Sequence, residues 1–101
     1  MDIIVSGKHL EVTDAIRAYA TDKTGKLPRY FDQVSQIEVL LDKQDHRTFM
    51  IEVIVHAAHC DPFIAHTSGD DLYACIDETV SKLERQLSSH KAKLRDHKGG
   101  K

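Results

Sequence analysis

The sequence predicts a single α+β domain ordered β-α-β-β-β-α: a four-stranded sheet with two helices packed on one face. Three observations predict it. One short β-branched run and three alternating runs read as strands. Two longer segments repeat apolar residues every three or four positions, as amphipathic helices do. The strands together offer one fully apolar face, so both helices must cover that face.

The first strand is expected at about 2–7, where Ile3 to Val5 is apolar before Ser6-Gly7 breaks the run. Thr13 then suits an N-cap, and Asp14 sits where the helix dipole favours an acid. Ile16, Tyr19, Ala20, Lys23 and Leu27 recur at helical spacing, giving a first helix at about 13–27 that Gly25 and Pro28 weaken at its end. Ser35 to Asp42 places Ile37, Val39 and Leu41 on one face and Gln36, Glu38 and Leu40 on the other. Thr48 to Ala57 sets Phe49, Ile51, Val53, Val55 and Ala57 against Met50, Glu52, Ile54 and His56. Phe63, Ala65 and Thr67 share the core side of a last strand. The last helix is expected from about Asp70 to His97, with Leu72, Ile76, Val80, Leu83, Leu87 and Leu94 in one stripe. It is longer than the sheet is wide, so its final turns are expected to project beyond the core. The folded domain is placed at 1–98 and a disordered tail at 99–101.

The 101 residues suit one domain of ordinary soluble composition. Cys60 and Cys75 lack metal or redox spacing and read as free thiols in a reducing cytosol. The start of the chain has no basic segment followed by an apolar one, so secretion is not expected. No apolar run approaches the roughly 20 residues of a membrane span. A cytoplasmic protein with no cofactor, metal, membrane or small-molecule substrate, monomeric when free, is the resulting expectation.

Charge is unevenly spread. From Ser81 onward seven bases face two acids, a net of +5, so residues 1–80 carry −7 of a total of −2. Such asymmetry points to an anionic partner for one region. On a helical wheel Lys82, Gln86, Ser89 and Lys93 share one flank of the last helix, with Arg85 further round. Lys91 and Arg95 lie on the opposite flank, near Asp77 and Glu84. On the first helix Lys23 and Lys26 lie together and Arg17 falls on the other side. The basic flanks of the two helices are expected to converge on the groove between them, a surface that neutralises phosphates. The alternative is a pair of solvated helix faces whose bases complement the helix dipoles. Two basic helices on one sheet face favour binding.

Little else carries chemistry. Tyr30 and Phe31 read as a hydrophobic plug at the helix–sheet corner, with base stacking as the alternative. Tyr73 reads as a rim or core aromatic. His56 and His66 read as exposed strand histidines, since a zinc site would need two further ligands and Cys60 is the one obvious candidate. There is no Ser-His-Asp arrangement, Gly-rich phosphate loop or paired-carboxylate motif. Ile4, Leu40, Ile54 and Ile64 join Glu38 and Glu52 on the open face of the sheet.

The segments IIVSGKHLEVTDAIR, Lys23 with Lys26-Leu27, and Tyr30-Phe31-Asp32, then GDDLYACID and KLERQLSSHKAKL, resemble the ribosome hibernation-promoting factor family, also described as sigma-54 modulation proteins. The resemblance covers nearly the whole chain. It implies a fold like the double-stranded RNA-binding domain with an added first strand. It also implies binding to the small ribosomal subunit and its 16S rRNA, in the channel used by mRNA and tRNA, with inhibition of translation in resting or stressed cells and no chemistry. Carried over by position, the rRNA-binding residues are Arg17, Lys23, Lys26, Arg29, Lys82, Arg85, Gln86, Lys91 and Lys93. Ser89 departs from the family pattern, where a further base is common, and Gly25 and Pro28 loosen the first helix. Long members of the family add a C-terminal dimerisation domain, so this chain resembles a short form or the N-terminal domain of a long one. The alternatives are a general double-stranded RNA-binding module and a protein-interaction regulator of transcription acting through the acidic sheet face.

Overall fold

A computed structural model describes residues 1–99 of the chain. The elements follow the expected order: β1 (Asp2–Lys8), α1 (Asp14–Thr24), a 3₁₀ turn (Leu27–Arg29), β2 (Val34–Lys43), β3 (Phe49–Ala57), β4 (Phe63–Gly69) and α2 (Leu72–Gly99). The sheet order is β1-β2-β3-β4. β1 pairs parallel to β2, and the other two pairs are antiparallel. A parallel pair needs a crossover, and α1 supplies it. The last two residues of the tail expected at 99–101 lie outside the described residues.

Local chemistry sets the boundaries. The Thr13 hydroxyl accepts from the Ile16 N–H at 3.2 Å, capping α1. α1 ends at Thr24 rather than near Leu27, because Pro28 disfavours helical geometry in the residue before it and the chain tightens into the 3₁₀ turn instead. Between β2 and β3, the Asp45 carboxylate accepts from the Arg47 and Thr48 N–H groups, both at 2.8 Å. Those bonds to the ionised form hold the Asp45 carboxyl below its ordinary range.

The core lies between one sheet face and the helices. Ile37, Val39, Ile51, Val53 and Val55 from the sheet meet Ile76, Leu83 and Leu87 of α2, all 0% exposed. Ala20, Leu27 and Phe31 close the α1 side. Buried hydroxyls are satisfied: Thr24 donates to the Ala20 carbonyl at 2.8 Å, and Thr79 donates to that of Cys75 at 2.7 Å while lying 2.8 Å from Thr67 Oγ1. The other sheet face is open, with Ile4, Leu40 and Ile64 exposed. On it His56 Nε2 meets Glu38 Oε2 at 2.6 Å. Among the described residues no helix is long and apolar enough to cross a membrane.

Gly7 marks a close approach. A Cβ there would lie 2.4 Å from the Leu10 carbonyl oxygen and 2.8 Å from Val12 Cγ2, where the chain folds back from β1 towards α1. Gly7→Ala is expected to cost about 1–3 kcal/mol, seen as a lower urea midpoint with unchanged slope. An unchanged midpoint would mean that this loop yields freely.

Both sheet edges carry side-chain hydrogen bonds from the helices. Arg17 Nη1 donates to the Val5 carbonyl on β1 at 3.1 Å. Lys82 Nζ donates to the His66 carbonyl at 2.7 Å, and Gln86 Nε2 to that of Ile64 at 3.0 Å, both on β4. These carbonyls face away from the neighbouring strand, and the helix side chains satisfy them instead.

Candidate nucleic-acid interface

α2 dominates the surface opposite the open sheet face. Its 28 residues span about 42 Å at ~1.5 Å per residue, and the molecule measures 54 × 23 × 18 Å. The packed part ends near Leu87; Lys91 to Arg95 are all exposed, including Leu94 at 47%. Leu94, expected in the apolar stripe, is therefore outside the core, because the helix has run past the sheet.

α2 packs on β3 and β4, while α1 packs on β1 and touches α2. One flank of α2 thus faces the β4 edge and the other faces α1 and the 3₁₀ turn. Along the β4 flank an open groove of about 440 Å³ is lined by Phe63, Arg85, Gln86, Ser89, His90 and Lys93. Along the other flank a smaller hollow of about 250 Å³ is lined by Arg29, Tyr30, Ser88, Lys91, Ala92 and Arg95. The expected single groove is therefore two cationic strips, one on each side of α2.

The nine residues singled out from the sequence divide accordingly. Lys82, Arg85, Gln86 and Lys93 belong to the β4 flank; Lys91 and Arg29 belong to the other. Lys82 and Gln86 are already bonded to β4, and Lys82 also lies 3.8 Å from Glu78. Lys23 is half-buried, 3.8 Å from Asp77 and 5.3 Å from the Tyr19 ring centroid. Lys26 lies 3.8 Å from Asp22. Arg17 is held at the β1 edge, away from both strips. Arg29, Arg85, Lys91 and Lys93 have no carboxylate within 4.0 Å among the described side chains. Arg95 completes the second strip and was not among the nine. Its spacing of four from Lys91 on one helix face was the signal for it.

Aromatic residues shape both flanks. Phe31 is 5% exposed and plugs the corner, as the sequence suggested. It stacks edge-on with Phe63 at 6.3 Å and with His90 at 5.0 Å. Tyr73 is a rim aromatic, 40% exposed and 4.8 Å edge-on from Tyr19.

Asp77 clasps the two helices, accepting from the Tyr19 hydroxyl at 2.7 Å. That hydrogen bond, with burial and the carboxylate's charge, pushes the Tyr19 phenol up to about 12. A raised acid pKa makes this contribution to stability fully present below pH 10 and lost as pH rises through about 12. Tyr19 is thus expected to ionise late in an absorbance titration at high pH, and Asp77→Asn is expected to bring it back towards 10. A titration that Asp77→Asn leaves unchanged would contradict the clasp. Burial pushes the Cys75 thiol up, so this free cysteine is a packed apolar group rather than a nucleophile. Among the described residues no group of three or more His, Cys, Asp or Glu side chains is arranged to hold a metal ion.

The chain is a small α+β domain with a row of exposed cations along a helix that outreaches its own sheet, the build of a candidate polyanion-binding domain. Comparison with known proteins gives the particular lineage. Residues 3–95 match the family described as sigma 54 modulation protein / S30EA ribosomal protein, and the chain belongs to that family. It is 37% identical over 97 residues to the ribosome hibernation promoting factor of Escherichia coli K12, covering 96% of this chain and 100% of that protein. It is 34% identical over 100 residues to the protein of the same name in Azotobacter vinelandii, covering 99% and 92%. Among solved structures, a ribosomal subunit interface protein from Coxiella burnetii superposes with a TM-score of 0.82 at 25% identity, covering 91% of this chain and 99% of that one. The N-terminal domain of Thermus thermophilus Protein Y superposes with a TM-score of 0.75 at 32% identity, covering 88% and 94%.

Proposed function

We propose that this chain is a cytoplasmic ribosome hibernation factor that docks on small-subunit rRNA in the decoding channel. It inhibits translation there by occupancy, without chemistry. Relatives matched over nearly their whole length carry that name, and a structural neighbour is a ribosomal subunit interface protein. The single observation that carries the docking surface is the set of cations Arg29, Arg85, Lys91 and Lys93 on the 3₁₀ turn and the projecting helix, with no carboxylate within 4.0 Å among the described side chains. Folded rRNA is met mostly through backbone and shape, and guanidinium and ammonium groups on rigid helices suit that task. Arg95 joins this set. Lys82 and Gln86 serve by fixing α2 against β4, and Lys23 and Lys26 add positive potential at the rim.

The test is co-sedimentation of the protein with vacant small subunits across a salt series, with mRNA and initiator tRNA, and separately free duplex RNA, as competitors. Stoichiometric binding that weakens steeply with salt and yields to mRNA and tRNA is expected. Equal competition by free duplex RNA would favour a general RNA-binding module. No co-sedimentation at low salt would reject the proposal.

A further inference from the structure

The groove on the β4 flank of α2 holds more than cations. Phe63 and His90 are both half-buried, with ring centroids 5.2 Å apart and planes at 75°. Buried Phe31 braces both from behind, so the two rings are fixed before anything binds. Arg85 and Lys93 stand on the same groove, one turn before and one turn after the aromatic pair. Hydrogen-bonding groups lie between them. Gln86 donates its amide N–H to the Ile64 carbonyl, which leaves its own carbonyl oxygen as an acceptor. Ser89 is exposed and small, and no side chain among the described residues hydrogen-bonds the His90 ring. At about 440 Å³ the groove falls within the size range of small-ligand sites.

A simple phosphate-neutralising surface needs none of the aromatic apparatus. Aromatic faces beside paired cations and an amide are how single-stranded bases are held, with the ring stacked and the flanking phosphates neutralised. We propose that this groove takes one unstacked nucleotide of an RNA strand, its base against Phe63 and His90 and its flanking phosphates at Arg85 and Lys93. The inference rests on the reading of the chain as an rRNA-binding factor and adds a nucleotide subsite to it. It gives the β4 flank a different task from the other one, which combines three bases with Tyr30 around Ser88 and Ala92.

The test uses the whole protein and two single-stranded RNA hexamers of equal charge, one intact and one lacking all its bases. The intact strand is expected to bind about tenfold tighter, the size of a single stacked base. The imidazole proton signals of His90 are expected to shift with the intact strand and to stay in place with the abasic one. Ser89→Leu fills the groove from an exposed helix position without removing a charge or adding an aromatic face. It is expected to cut the preference to less than twofold while leaving affinity for the abasic strand unchanged. Equal affinity for the two strands, no binding of either, or an unmoved His90 signal would each overturn the subsite. Ribosome co-sedimentation that survives such a result removes the subsite alone. Its failure removes the proposed function.

Discussion

A variant carrying Arg85→Glu, Lys91→Glu and Lys93→Glu is expected to lose about a thousandfold in affinity for small ribosomal subunits at low salt, roughly tenfold per reversed contact. Each phosphate contact removed should take about 0.7–0.9 from the slope of log affinity against log salt, so the slope should fall by about two to three. The three side chains are exposed and distributed over both flanks of α2, so no single strip can compensate. Stability should barely move, since exposed substitutions away from caps and networks stay within about 0.5 kcal/mol each. The control is Lys43→Glu with Arg47→Glu, at the end of β2 and in the turn after it, at the opposite end of the molecule from the projecting helix. That pair alters net charge in the same direction and is expected to cost less than threefold. Comparable losses from both variants would mean that overall charge, not this surface, governs binding.

Two leucines of one helix are expected to behave in opposite ways. Leu87 is 0% exposed and Leu94 is 47% exposed, although both fall in the same apolar stripe. Leu87→Ala removes a side chain packed between α2 and the sheet and should cost about 2–5 kcal/mol. With about 4–8 °C of melting temperature per kcal/mol in a domain of this size, a fall of roughly 15 °C is expected. Leu94→Ala should stay within about 0.5 kcal/mol. Calorimetry on both variants decides it. A large loss at Leu94 would mean that the end of α2 is packed against something rather than projecting.

The comparison of these leucines shows what periodicity carries and what it omits. A helical stripe reports which face of a helix is apolar, but not how far the neighbouring sheet extends beneath it. Strand alternation did place Glu38, Glu52, Ile4, Leu40 and Ile64 on the open face, because a pleated strand allows only two sides. The cap at Thr13 was legible for the same local reason. The end of α1 was not, since Pro28 can either fray a helix or turn it into a 3₁₀ segment, and Leu27 is fully buried in the turn. The two basic flanks of the last helix were legible, yet what each flank faces was not. A helical wheel shows flanks, and only the strand order shows that one flank meets β4 while the other meets α1. Arg17, Lys82 and Gln86 looked like free polar contacts for the same reason. Their partners are main-chain carbonyls at sheet edges, and the sequence does not say which strands those edges are.

Those three side chains have a further consequence. An uncovered strand edge is a template on which identical chains stack into insoluble assemblies. Here one carbonyl of the β1 edge and two of the β4 edge are capped, and by groups that belong to the helices rather than to the strands. That capping lasts only while the helices stay docked. Partial opening that lifts α2 would expose the apolar face and unmask β4 in one event. Colloidal stability of this protein is thus tied to helix docking, and a change that loosens α2 should show itself as precipitation before it shows itself as lost secondary structure.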